Sequence, residues 1–356
     1  MRVLHCPTDT GGHAWGLSRA ERALGVHSDV MVRRSSWLGF PCDVDLRLRE
    51  SALPVSVLRL GWFVLRAVRQ YDVFHFNWGM SLVDYRTWNL HYWDLPLLKR
   101  LGKRVVVTFQ GCDARMKGLS RQRLSTSACA ECDVGWCDER MDTIRQKRIR
   151  KVFTYADKVF ALNPDLLHFL PGAEFLPYAS VDPNEWKSAG TSARRTSQSE
   201  PFRVLHMPTN RSIKGTRYVE QACARLNSGG VPVELMLVEQ VPHARVKDLI
   251  AQADVVVDQL LIGWYGALAV EAMALGKPVL CYLRAEDLKH FVPFHEQIPI
   301  VRTTKETLAQ DLDGLLRSQS RREELGEAGR RFVTEWHDPL KIARQTVAAY
   351  QPSCAA

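Results

Sequence analysis

Residues 263 to 280, Gly263-Trp264-Tyr265-Gly266-Ala267-Leu268-Ala269-Val270-Glu271-Ala272-Met273-Ala274-Leu275-Gly276-Lys277-Pro278-Val279-Leu280, set a glycine-containing turn directly before a helix-forming run. Such a junction leaves backbone N–H groups without intrahelical acceptors and turns the positive end of the helix dipole toward whatever lies there, which suits a phosphate. Glu271 falls in the second turn of that helix, where a carboxylate can accept hydrogen bonds from ribose hydroxyls, as an acidic residue does in dinucleotide folds. A buried helix with one solvated Glu is the plainer reading of the same residues. Upstream, Arg211-Ser212-Ile213-Lys214-Gly215 holds two cations three residues apart after a strand-like run. At the carboxyl edge of a sheet they would neutralise a bound phosphate or diphosphate. An exposed Arg and Lys is the alternative, and the position of the pair ahead of Glu271 favours the first reading.

The N-terminal half offers weaker patterns. Thr10-Gly11-Gly12-His13 follows the first strand-like run, and its glycines would let backbone approach a ligand, as they would also make an ordinary turn. Thr108-Phe109-Gln110-Gly111-Cys112-Asp113 follows a later one. Gln110 cannot act as a general base but can hydrogen-bond a hydroxyl, and Asp113 is the nearest carboxylate to orient one; a structural turn explains both equally well. Of nine cysteines, Cys129-x-x-Cys132-x-x-x-x-Cys137, with Cys112 upstream, has the ligand number and close pair of a structural zinc site. This insertion, 112–137, is polar enough for a metal to be what folds it. Free or redox-labile thiols and a disulfide stay open as alternatives, the last disfavoured in a cytoplasmic chain.

Positioning these residues calls for two similar frameworks. Arg2-Val3-Leu4-His5-Cys6-Pro7-Thr8-Asp9 and Arg203-Val204-Leu205-His206-Met207-Pro208-Thr209-Asn210 read as one element used twice, a buried strand, a polar turn and then a helix. Helix Ser18 to Leu24 and strands Ser28 to Val32, Val73 to Phe76, Val105 to Phe109 and Lys158 to Leu162 follow the first copy. Helices Arg217 to Leu226, Val246 to Gln252 and Ala267 to Leu275, alternating with strands Val233 to Val238, Val255 to Val257 and Pro278 to Tyr282, follow the second. Alternation of this kind argues for parallel sheets covered on both faces. The expected division is an N-terminal domain over 1–186, a Ser/Thr/Arg/Gly-rich linker over 187–201, a C-terminal domain over 202–335 and a closing helix within 336–356.

A chain of 356 residues, 46% hydrophobic and 24% charged, is long enough for two such domains. Its most apolar stretch, Ala52 to Val68, is interrupted by Arg59 and Arg66, so no membrane-spanning helix is expected. It reads as a core helix of the outer layer, with an amphipathic membrane contact as the alternative. The start of the chain runs straight into a strand, and the expectation is a cytoplasmic protein. The net charge of +9 includes two basic runs, Lys99, Arg100, Lys103, Arg104 and Arg145, Lys147, Arg148, Arg150, Lys151. These read as solvated faces first, as a peripheral contact with an anionic membrane surface second, and not as a nucleic-acid site, since no recognition module accompanies them.

The run from Tyr265-Gly266 through Glu271-Ala272-Met273-Ala274 to Gly276, Pro278 and Val279 resembles the signature of the GT-B glycosyltransferases, specifically retaining family four, the glycogen synthase-like group 1 glycosyltransferases. Ala253-Asp254 and Arg211 with Lys214-Gly215 resemble further parts of that pattern, as does the loop at Gly11 and Gly12. The resemblance implies two Rossmann-like doubly wound α/β domains facing across a cleft, with the closing helix crossing back to the first. It implies a nucleoside-diphosphate-sugar donor held by Gly11, Gly12, Arg211, Lys214, Tyr265, Gly266, Ala267, Leu268 and Glu271, with Arg211, Lys214 and Asp113 as catalytic candidates and His13 and Gln110 on the acceptor side. The acceptor would be a sugar, a lipid-linked molecule or a small molecule, and no cofactor would be required for catalysis. Two departures stand out. Gly263 replaces the family's first glutamate, which touches the donor sugar, and Gln110 replaces a histidine. They motivate the alternative of a catalytically weakened sugar-nucleotide-binding protein. A nicotinamide oxidoreductase lacks the Gly-x-Gly-x-x-Gly that should follow the first strand.

Overall fold

A computed structural model describes residues 1–48, 50, 52–84, 91–135, 137–187 and 200–351. The chain forms two compact units, one of Met1–Met116, Cys137–Ser180 and Pro339–Ala356, the other of Lys117–Trp136 and Val181–Asp338. Most of the expected linker, residues 188–199, lies outside the described residues.

In the first unit, β1 (Arg2–Cys6), β2 (His27–Val32), β3 (Val44–Asp45), β4 (Val73–Asn77), β5 (Arg104–Phe109), β6 (Lys158–Ala161) and β7 (Glu174–Phe175) form one parallel sheet in the order β3-β2-β1-β4-β5-β6-β7. In the second, β8 (Phe202–His206), β9 (Val233–Leu237), β10 (Val255–Val257), β11 (Val279–Cys281) and β12 (Val301–Arg302) form another in the order β12-β11-β10-β8-β9, also parallel. The two copies of the Arg-Val-Leu-His element are β1 and β8. Each is an interior strand with the next strand of the chain on one side and a later one on the other, so the sequence similarity matches a shared place in two Rossmann-like sheets. Strands as apolar as Val105-Val106-Val107 and Val255-Val256-Val257 are fully buried, as parallel strands covered on both faces must be.

The first unit is closed by the last helix, Pro339–Tyr350, packed on His13–Ala23 through Leu17, Ala20, Ile342 and Ala343. Beneath this contact is a buried polar network. Tyr350 donates its hydroxyl proton to Glu21 (2.7 Å), so its oxygen accepts from Nδ1 of His75 (2.7 Å), while Thr108 donates to Nε2 of the same ring (2.7 Å). Ser28 and Nε2 of His5 also meet Glu21. Burial works against the Glu21 charge, yet these partners hold its carboxyl below the usual range. His75, by contrast, is pushed well below 6.5 by burial and by the neighbouring His5 and His13. Unfolding releases His75 to its ordinary value, so below about pH 6.5 the unfolded chain binds a proton that the folded chain refuses, and stability falls with falling pH. Buried carboxyls with raised pKa, Asp94 at about 6 among them, act in the opposite sense, so the contribution is read by difference. On going from pH 7 to pH 5, His75→Gln is expected to lose about 2 kcal/mol less stability than the unsubstituted chain; parallel denaturation curves at the two pH values for both chains would remove His75 from the pH response.

One expectation from composition is extended here and one is corrected. The helix Leu53–Gln70 does pack on the core, through Ser56, Leu60, Phe63 and Ala67, but Leu58, Trp62 and Leu65 on its far side stand in solvent. The basic run beginning at Arg145 is not one solvated face. Arg145 is buried, bonded to Asp142 (3.1 Å), and Arg148 pairs with Asp84 at 2.5 Å. A period of 3.6 distributes five basic residues around a helix of which one side must face the sheet.

Candidate donor-phosphate site

In the second unit the residues read as phosphate-binding come together at the carboxyl ends of β8 and β10. After β8, Asn210 caps the single turn Arg211–Lys214 by accepting the N–H of Ile213 (2.9 Å), and Gly215, at φ 78°, ends it. The turn leaves Lys214 only partly exposed. Its ammonium lies 3.6 Å from Asp258, the residue that follows β10, and donates to the amide oxygen of Gln259. A side chain added at Gly266 would stand 3.4 Å from the same ammonium. Lys214 therefore sits at the mouth of the helix Ala267–Ala274, where its charge adds to the positive end of the helix dipole. The Gly266 N–H is taken by Asp258 at 2.5 Å, so the amides left without an intrahelical acceptor are those of Ala267 and Leu268 in the first turn.

Glu271 is buried on that helix, and its carboxylate meets Nε2 of His243 at 2.6 Å. Burial raises the Glu271 pKa, with His243 opposing the rise. The His243 ring lies 5.6 Å from that of Trp186, which gives the carboxylate a wall. Arg211 points the other way: it is more than half exposed and bound to Glu239 at 3.0 to 3.1 Å. To reach a diphosphate beside Lys214 its side chain would have to leave Glu239. Tyr265 is fully buried, stacked on Trp264 at 4.0 Å with its hydroxyl 2.9 Å from His337, so any donor contact at this position is through backbone.

Gly263 has φ 90°, and a Cβ there would lie 2.8 Å from the guanidinium of Arg284. Arg284 is held by Asp287 at 2.7 Å and by the Ile262 carbonyl. Where the resembled family carries a glutamate, this chain has a backbone conformation suited to glycine and an arginine packed over it.

In the first unit, Gly11 and Gly12, at φ 65° and 70°, form the loop before His13–Ala23. His13 is buried, its Nδ1 accepts the Ala179 N–H (3.2 Å), and burial with the nearby His5 lowers its pKa to about 3. It is therefore neutral with its proton on Nε2, an atom with no hydrogen-bond partner among the described residues. It can donate but not act as a base. Asp113 accepts from the backbone N–H groups of Gln110 (3.0 Å), Gly111 (2.6 Å) and Ala114 (3.1 Å), so it shapes the loop that carries Gln110. The Gln110 side chain donates to Asn77 at 3.3 Å.

The zinc expectation is corrected. Among the described residues no three His, Cys, Asp or Glu side chains are grouped to hold a metal. Cys112 and Cys137 fall in the first unit, where Arg145 donates to Cys137 Sγ at 3.3 Å, whereas Cys129 and Cys132 fall in the second. All eight described cysteines are free thiols. The polar insertion is held by ion pairs and hydrogen bonds instead: Glu131 meets Arg217 (2.7 Å) and Lys305 (3.2 Å), Asp133 accepts from Ser212 (2.6 Å), and Ala128 N–H reaches the Leu261 carbonyl (2.8 Å). Sequence reading did not identify His243 and Arg284 as site residues. No spacing rule ties them to the motif, although Asp258 and Gln259, which directly follow β10, carried the signal of a polar strand end.

Residues 206–332 match the family model described as glycosyl transferases group 1. Among solved structures, sucrose-phosphate synthase from Thermosynechococcus elongatus aligns with a TM-score of 0.64 at 16% identity, over 98% of each chain. HepE of Anabaena, solved in complex with UDP-glucose, aligns with a TM-score of 0.63 at 13% identity, over 97% of this chain and 98% of that one. A glycosyltransferase from Rickettsia africae aligns with 0.58 at 12% identity. These likenesses show the fold, that of the GT-B glycosyltransferases. No curated protein matches in sequence.

Proposed function

We propose, for a chain whose residues 206–332 carry a group 1 glycosyl transferase domain, that it moves a sugar from a uridine-diphosphate-sugar donor to an acceptor hydroxyl with retention at the anomeric carbon. The observation that carries this reading is the convergence of Lys214, the first-turn amides of Ala267 and Leu268, and buried Glu271 on one helix mouth. That set offers a cation and two N–H donors for a diphosphate and, one helical turn on, a carboxylate for ribose. The uridine base is supported by the UDP-glucose bound to HepE.

In this mechanism Lys214, joined by Arg211 once it leaves Glu239, stabilises the departing diphosphate. The leaving phosphate takes the acceptor proton on the same face, so no carboxylate nucleophile is assigned. Asp113 acts through the loop it holds, presenting Gln110, and His13 supplies a neutral donor for a sugar hydroxyl. The acceptor is a sugar, a lipid-linked molecule or a small molecule, and the setting is polysaccharide, glycolipid or glycoside synthesis in the cytoplasm.

A second reading, nucleotide-sugar binding without transfer, is favoured by Gly263 and by Arg284 packed over it, which remove the carboxylate that touches donor sugar in the resembled family. Thermal stabilisation by nucleoside diphosphates and their sugars is the direct test. A ligand at 100 times its Kd stabilises the native state by about 2.7 kcal/mol, so uridine nucleotides are expected to raise Tm by several degrees while adenosine and guanosine nucleotides do not. A shift with none of them would remove the donor assignment, and a shift without transfer or donor hydrolysis would favour the second reading.

A further inference from the structure

The helix Leu53–Gln70 buries Ser56, Leu60, Phe63 and Ala67 against the first unit's core. At 100° per residue, Val55, Leu58, Trp62 and Leu65 fall on the opposite side, and there they are 47%, 73%, 63% and 59% exposed. An outward side ordinarily carries polar residues; here it carries an apolar ridge. The flank of that ridge is cationic. Arg59, Arg66 and Arg69 are all exposed, the guanidinium of Arg66 lies 5.5 Å from the centre of the Trp62 ring, and the helix contains no acidic residue.

The ridge does not stand alone. The helix Asp94–Arg100 sends Leu95 and Leu98 into the same core cluster as Leu60 and Phe63, so the two helices cover one face of the sheet. That arrangement follows from successive right-handed crossovers to β4 and β5. The outer side of this second helix shows the same composition. Trp93, Leu97 and Leu101 are exposed, Arg100 stands beside them in solvent, and Lys151 lies 5.3 Å from the centre of the Trp93 ring.

We infer that this outer face of the first unit docks on the surface of a bilayer containing anionic lipid. Leucine side chains would enter the acyl boundary, the two tryptophans would sit at headgroup depth, and the arginines would meet lipid phosphates. The charge pattern selects this occupant over a second copy of the chain. A symmetric pairing of two such faces would set Arg59, Arg66 and Arg69 of one copy against the same residues of the other, with no carboxylate on the helix to answer them. No helix among the described residues is long and apolar enough to cross a membrane, so the contact is with the surface. The inference does not depend on donor chemistry, since docking needs neither nucleotide nor transfer.

The test is co-sedimentation of the full chain with vesicles of phosphatidylcholine alone and with about a third phosphatidylglycerol, at low and at high salt. Binding to the anionic vesicles is expected to be at least about tenfold stronger than to the neutral ones and to weaken with salt. Replacing Leu58, Trp62 and Leu65 together by serine should lower it by about tenfold or more while leaving Tm unchanged, because all three side chains are already in water. Arg59→Gln with Arg66→Gln and Arg69→Gln should reduce the preference for anionic lipid by about tenfold or more, with Arg100 and Lys151 left to supply the remainder. Equal binding to both vesicle types, no binding to either, or binding unaffected by the serine substitutions would each overturn the inference. So would a concentration-dependent dimer in sedimentation equilibrium that the serine substitutions dissolve.

Discussion

Replacing Lys214 by alanine is expected to lower kcat by about 10²- to 10³-fold, the loss typical of removing one preorganised group that stabilises charge formed in the transition state. The reason lies in what surrounds the ammonium. It sits within reach of Asp258 and Gln259, at the start of the helix whose first-turn amides have no internal acceptor. On the proposed mechanism a diphosphate arriving there would meet a cation already fixed in place, and the further negative charge left on its terminal phosphate as the sugar departs would develop beside that cation. Asp258 pairs with Lys214 while also accepting the Gly266 N–H, so the pair is held in register with the helix. Arg211→Ala is expected to cost less, because Arg211 is largely exposed and engaged with Glu239. Initial rates for both variants at saturating donor separate the two, with KM compared against kcat. Turnover within a few-fold of the unsubstituted chain for Lys214→Ala would remove it from the chemical step.

What the sequence disclosed about this site was local. A glycine turn that feeds a helix is written in consecutive residues, and so the turn at Gly266 and the helix that carries Ala267, Leu268 and Glu271 were legible. The strand, turn and helix begun by Val204-Leu205-His206 were legible for the same reason, helped by their near-repetition at Val3-Leu4-His5. What escaped was set by contacts between residues far apart in the chain. His243 reaches Glu271 from 28 residues upstream, and Arg284 lies over Gly263 from 21 downstream. The cysteine cluster misled because its spacing satisfies a rule about ligands while its folding partners, Arg217, Lys305 and Ser212, lie some 80 to 170 residues further on. The Leu53–Gln70 stretch was read as a core helix with an amphipathic membrane contact as the alternative; it does pack on the core, but content alone does not say that two opposite sides are apolar.

Gly326→Ala is expected to destabilise the second unit, and the cause runs directly into the glycine-turn and helix motif of residues 263 to 280. The helix Gln319–Trp336 packs against Ala267–Ala274 with Gly326 and Gly329 in the contact. A Cβ at 326 would lie 2.3 Å from the carbonyl oxygen of Gly276 and one at 329 would lie 3.1 Å from Met273. Gly276 itself has φ 73° and ends the motif helix, so the backbone that would have to yield is the one the motif fixes. Overpacking of this kind costs about 1 to 3 kcal/mol or more, against roughly 1 kcal/mol gained from replacing a helical glycine by alanine. The net loss should lower Tm by several degrees and weaken donor binding too, because the displaced helix carries Ala267, Leu268 and Glu271. Gly314→Ala is the matched control: it also lies in a helix, Leu308–Arg317, and its added Cβ would meet nothing within 4 Å. That substitution should raise stability by about 0.5 to 1 kcal/mol. If both variants raise Tm, helix propensity rather than close packing governs Gly326.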